Sequence, residues 1–77
     1  MGRIRIKLRE AMEDYERRSG IHVTYSDLAQ RTGLSVATLQ SIGSRKRYNA
    51  TLEAIELICR ALNTTPADLL EWDESDE

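Results

Sequence analysis

The chain has no phenylalanine and only one tryptophan, three tyrosines, one cysteine, one histidine and one proline among 77 residues. With so few rings, aliphatic side chains must build whatever core there is. A lone cysteine excludes an intrachain disulfide and a cysteine zinc cluster. His22 has no second ligand type arranged around it, so neither a metal site nor general-base catalysis has a constellation here. No apolar run approaches the roughly 20 residues of a membrane-spanning helix, and no signal-peptide pattern opens the chain. The expectation is a cytosolic protein without membrane contact. At this length a single domain buries only about 60% of its unfolded surface, which leaves no room for an enzyme cleft between domains. Without nucleophile, base or cleft, neither an enzyme nor a cofactor is expected.

Basic charge is absent from the last eleven residues of the chain, where acidic charge is concentrated. The formal net charge is -2, but residues 1 to 66 carry all eleven Lys and Arg against seven Asp and Glu, a balance of +4. Residues 67 to 77 hold six acids and no base, a balance of -6. The body is therefore basic, as a nucleic-acid binder requires, and EWDESDE reads as an acidic mobile end. That end either solubilises the chain or competes with phosphates for the basic surface.

Periodicity divides the rest. Residues 3 to 8, RIRIKL, alternate base and aliphatic as a strand does. With no second strand expected, Ile4 and Ile6 are either the fraying start of helix one or an edge awaiting another chain. In the second case two copies pair antiparallel across a two-fold axis, making Ile4 and Ile6 tentative dimer residues. From Leu8 the period turns helical: Leu8, Ala11, Met12 and Tyr15 share a face, Arg17 and Arg18 suit the C-terminal dipole, and Gly20 ends the helix.

Residues 25 to 42, YSDLAQRTGLSVATLQSI, hold the most information. No single straight helix brings Leu28, Leu34, Leu39 and Ile42 to one face, so the pattern calls for two helices broken near Gly33. Thr24 and Asp27 have the spacing of a capping box, which starts the first of them at about Tyr25. Gly33 ends it in a left-handed conformation, and Ser35 caps the second. Ala29 is small enough for the helices to cross closely.

This run, and its continuation TLEAIELICRALNTTPADLLEW, resembles the Cro and lambda-repressor-like (Xre-class) helix-turn-helix family of small prokaryotic or phage regulators, over roughly residues 7 to 72. The resemblance implies an all-α, compact five-helix domain over residues 1 to 72, with a short N-terminal strand at residues 3 to 7 as an option. The helix-turn-helix unit covers 25 to 43, and an acidic flexible tail covers 73 to 77. It further implies sequence-specific binding of double-stranded DNA by a homodimer, with helix three in the major groove. A protein-interaction module, such as an antitoxin or adaptor on the same fold, is the alternative.

On that reading Leu39 and Ile42 face inward. At about 100° per residue, the outward face carries Ala37, Gln40, Ser41 and Ser44, with Val36 beside them. Val36, Ala37, Gln40 and Ser41 are the candidate base contacts. Gln40 leads them because an amide donates and accepts at once, matching N6 and N7 of adenine. Thr24 and Tyr25, at the free-amide end of helix two, and Ser44, Arg45, Lys46 and Arg47 beyond helix three are the candidate phosphate contacts. Relatives commonly have glycine where Arg45 stands. Here glycine is at 43, so helix three either stops there, taking Ser44 off the helical face, or continues to Arg45.

The remainder reads as scaffold. Thr51 caps a helix with an apolar stripe of Leu52, Ile55, Ile58, Cys59 and Leu62, closed by Asn63. Cys59 reads as a small buried hydrophobe. Thr65, Pro66 and Asp68 suggest a second capping box, and Trp72 is expected to fold over the end of the core.

Overall fold

Among the described residues five helices form the body, and a two-stranded sheet joins its two ends. The computed structural model describes residues 2–45 and 48–74. In chain order these form β1 (Arg3–Ile6), α1 (Leu8–Ser19), α2 (Tyr25–Thr32), α3 (Val36–Ser44), α4 (Leu52–Ala61), α5 (Pro66–Leu69) and β2 (Leu70–Asp73). The five-helix expectation holds, and so does the N-terminal strand, over residues 3–6.

The expectation that this strand lacks a partner in its own chain is corrected. β1 pairs antiparallel with β2, with Arg3 opposite Asp73, Ile4 opposite Trp72, Arg5 opposite Glu71 and Ile6 opposite Leu70. The alternation now has a cause: Ile4, Ile6, Leu70 and Trp72 share one face, and the charged residues share the other. Ile6 and Leu70 pack on the core, whereas Arg5 reaches Glu71 at 2.8 Å and Glu10 at 3.1 Å. Glu71 to Asp73 are thus ordered sheet rather than the beginning of a mobile end. Glu74 accepts a hydrogen bond from Trp72 Nε1, and Ser75, Asp76 and Glu77, the remainder of the expected tail, lie outside the described residues.

The core is aliphatic, as the shortage of rings requires. Leu8, Leu28, Leu39, Ile42, Ile58, Leu62 and Leu69 are its largest fully buried side chains. Met12 and Tyr15 of α1 pack against it, on the face the spacing predicted. Helix ends follow local chemistry. Gly20 (φ 76°) and Gly33 (φ 79°) adopt the left-handed conformation, and Asn63 does so at φ 52°. Thr51 Oγ1 accepts from the Ala54 amide at 3.0 Å. Arg18, expected to serve its own helix end, also donates to the Leu62 carbonyl at 3.2 Å, so one guanidinium closes α4 as well.

Three expectations fail here. Thr65 makes no cap to the backbone. Its hydroxyl faces Asp68 Oδ2 at 3.5 Å, and α5 starts instead on Pro66 at its first turn and on the Thr65 carbonyl, which accepts from Leu69 N at 2.9 Å. Trp72 is 59% exposed rather than folded over the core, because it belongs to β2, where Ile4 is its neighbour. Leu52 is 85% exposed. It lies on the stripe's side of α4, but in the first turn it stands at the rim of an open groove rather than beneath a neighbouring helix.

Candidate nucleic-acid interface

The corner between α2 and α3 is built from local bonds. Thr24 Oγ1 accepts from the Asp27 amide, and Asp27 Oδ2 accepts from the Thr24 amide, both at 3.1 Å, so the predicted capping box forms in both directions. Gly33 N donates to the Ala29 carbonyl at 2.8 Å. Ser35 Oγ accepts from the Thr38 amide at 3.0 Å and donates to Thr38 Oγ1 at 2.8 Å. One residue the spacing did not single out completes the corner. Thr32 is buried, its hydroxyl donating to the Leu28 carbonyl at 2.8 Å and accepting from Leu34 N at 3.1 Å. Its only sequence signal is its place immediately before the hinge glycine.

The capping box makes the start of α2 sensitive to acid. The backbone hydrogen bond from Thr24, with its hydroxyl second, holds the Asp27 carboxyl below its ordinary value of 3.8. A lowered folded pKa means that this contribution to stability is fully present above about pH 4 and is lost as pH falls through the folded value. Asp27→Asn should therefore flatten the acid limb of stability against pH, measured by urea unfolding between neutral pH and the folded pKa; an unchanged limb would reject the link. His22 titrates in the opposite sense. Its Nδ1 lies 2.9 Å from Glu16 Oε1, which raises its pKa, so its small surface contribution is present below the ordinary value of 6.5 and lost above the raised one.

Two free amides open α2 and two open α3. Caps and intrahelical bonds leave Tyr25 N and Ser26 N on α2, and Val36 N and Ala37 N on α3, without a partner among the described residues. These groups and the helix dipole favour an anion. No acidic side chain occurs anywhere in α3.

Along α3, Leu39 and Ile42 are buried while Val36, Ala37, Gln40 and Ser44 are exposed and Ser41 is half-buried. The outward face is the one the 3.6-residue period gave. Helix α3 runs through Gly43 to Ser44, and Arg45 leaves it in extended conformation (φ -89°, ψ 135°). Ser44 therefore stays on the helix, its hydroxyl donating to the Gln40 carbonyl at 2.7 Å. Lys46 and Arg47 lie outside the described residues.

Gly43 has a different purpose from ending the helix. Its φ is not positive; a Cβ there would overlap the Tyr25 hydroxyl. This contact seats the side chain of Tyr25, the first residue of α2, against the last turn of α3, which Ser44 and Arg45 end. The Tyr25 hydroxyl itself is buried and has no hydrogen-bond partner among the described residues, whereas the Tyr25 backbone amide is free.

Elsewhere, the described residues include no group of three or more His, Cys, Asp and Glu able to hold a metal ion. No helix among them is long and apolar enough to cross a membrane.

Residues 7–75 match the family model of the Cro/C1-type HTH DNA-binding domain. Among curated proteins, the chain is similar to the uncharacterised HTH-type transcriptional regulator YozG of Bacillus subtilis (strain 168), at 34% identity over 55 residues. That alignment covers 71% of this chain and 64% of the relative, so the chain spans somewhat under two thirds of that protein's length. No solved structure matches the chain.

Proposed function

Because the chain belongs to the Cro/C1-type helix-turn-helix DNA-binding domain family, we propose that it is a transcriptional regulator that reads double-stranded DNA sequence-specifically as a homodimer, with α3 in the major groove. The observation that carries this reading is the outward face of α3: exposed, free of acids, opening on free amides and ending beside Arg45 and the amide end of α2. Valine and alanine at its first two positions let the helix backbone approach base edges closely, and their methyl groups suit a thymine methyl. Gln40 pairs with adenine through two hydrogen bonds, and Ser41 accepts several bases. Thr24, the amides of Tyr25 and Ser26, and Ser44, Arg45, Lys46 and Arg47 grip phosphates and set the register. Such a regulator works in the cytoplasm, where the chromosome is.

Base and phosphate roles separate experimentally. Gln40→Ala should cost about 1–3 kcal/mol on the cognate site and relax one base position. Arg45→Ala or Lys46→Ala should weaken all duplexes about equally and reduce the salt slope by about one. Equal losses for Gln40→Ala on every sequence would remove its base contact. The proposal as a whole is tested by selecting bound duplexes from a random pool and titrating the winner with salt. A recovered palindrome is expected; a pool without enrichment would overturn sequence-specific reading and favour the second reading, a protein-interaction module, which the exposed Ile4 and Trp72 also suit.

A further inference from the structure

Among the described residues, Ile4, Leu52 and Trp72 are large exposed hydrophobic side chains that the DNA reading does not use. A groove of about 440 Å³ runs between α4 and the α5–β2 segment, with Ile55, Cys59 and Leu70 among the residues that line it. Burial raises the pKa of Cys59, so the floor stays neutral and apolar. Leu52 stands on its rim at 85% exposure. Leu70 carries the surface onward, since strand alternation puts Trp72 and its neighbour Ile4 on the same sheet face.

We propose that this groove is a two-fold interface with a second copy of the chain, formed by antiparallel packing of α4 on α4. The proposal rests on the homodimer reading above and supplies its interface.

Charge and shape argue for this occupant. Among the described residues, the only charged ones lining the groove are Glu56 and Arg60, which cancel, so a nucleic acid finds no attraction there. Within one copy they pair at 2.8 Å and remain exposed. Under a two-fold axis crossing α4 between them, Glu56 faces Arg60 of the second copy, twice. The same register sets Leu52 opposite Thr64 of the second copy, at the end of the groove that Asn63, Thr64 and Pro66 line. A protruding leucine and a recess that receives it thus lie on one surface at matching positions, which is what an isologous contact requires.

Sedimentation equilibrium of the full chain without DNA tests the interface. The wild type should give the mass of two protomers at micromolar concentration. Leu52→Arg, a change at an exposed position, should leave the far-UV circular dichroism intact and weaken association by more than roughly tenfold. Glu56→Lys and Arg60→Glu should each weaken self-association, because each sets like charges opposite one another, and an equimolar mixture of the two should recover a dimer. A monomeric wild type, a Leu52→Arg variant with unchanged dimer mass, or a mixture no better than its components would overturn the interface. These outcomes are independent of DNA binding: a monomer that enriches duplexes sinks the interface alone, and a dimer that enriches none sinks the DNA reading alone.

Discussion

Leu39→Ala is expected to lower the unfolding free energy by about 2–5 kcal/mol, the range for emptying a fully buried leucine site. The side chain is 0% exposed and belongs to the single core cluster with Leu8, Leu28, Ile42 and Ile58. The cost joins lost transfer energy to the cavity left behind, because neighbours held in a close-packed core relax only in part. Natural domains keep about 0.05–0.15 kcal/mol per residue, which gives this chain about 4–12 kcal/mol in all. One truncation therefore removes a quarter or more of the stability at the middle of that range, and it does so in the helix proposed to read DNA. Duplex affinity should fall with the folded fraction and return when temperature is lowered enough to refold the variant. Leu52→Ala is the matched control. The same atoms are deleted from a site 85% exposed in the single chain, so at concentrations too low for self-association the change should stay within about 0.5 kcal/mol. Urea unfolding of both variants decides the matter. Equal costs would mean that the burial pattern described for α3 and α4 is wrong.

Gly43→Ala should change sign with its background. In an open helix interior, replacing glycine by alanine gains about 0.5–1 kcal/mol of backbone entropy. Here the new methyl overlaps the Tyr25 hydroxyl, and overpacking of that kind costs about 1–3 kcal/mol. The steric term wins, and the single variant is destabilised. Tyr25→Phe deletes a hydroxyl that is buried and unpaired, which is neutral to stabilising. With the hydroxyl gone, Gly43→Ala should recover much of the helical gain, so the two changes should couple by about 1–3 kcal/mol. Additive effects would deny the contact. Duplex binding adds a second readout. Gly43→Ala should weaken binding by shifting the last turn of α3 against α2. Tyr25→Phe should leave binding unchanged, because a buried hydroxyl does not reach phosphate; a uniform loss across sequences would restore it as a phosphate ligand.

Much of this molecule was legible in the sequence because its signals are local. The capping box of Thr24 and Asp27, the serine cap at Ser35 and the left-handed glycines at 20 and 33 each depend on residues no more than four positions apart. The outward face of α3 follows from the helical period alone, and the aliphatic core from the shortage of rings. Helix existence and facing, and the short list Val36, Ala37, Gln40 and Ser41, come from that level.

Whatever joins distant segments was decided by the tertiary structure. RIRI alternates as a strand, but only folding brings residue 72 beside residue 4, and no local period encodes a partner 68 positions away. The same holds for Trp72, whose apolar ring fits a core in composition and lies on a sheet face in fact. Leu52 has the right side of its helix and no neighbour to cover it, because covering depends on where another segment ends. Gly43 is the clearest case. By composition it marks a helix end, yet it remains inside α3 because Tyr25, eighteen residues earlier, occupies the space a side chain would need. Periodicity determines which way a residue faces; only packing determines what it meets there, because contact depends on the path of the whole chain.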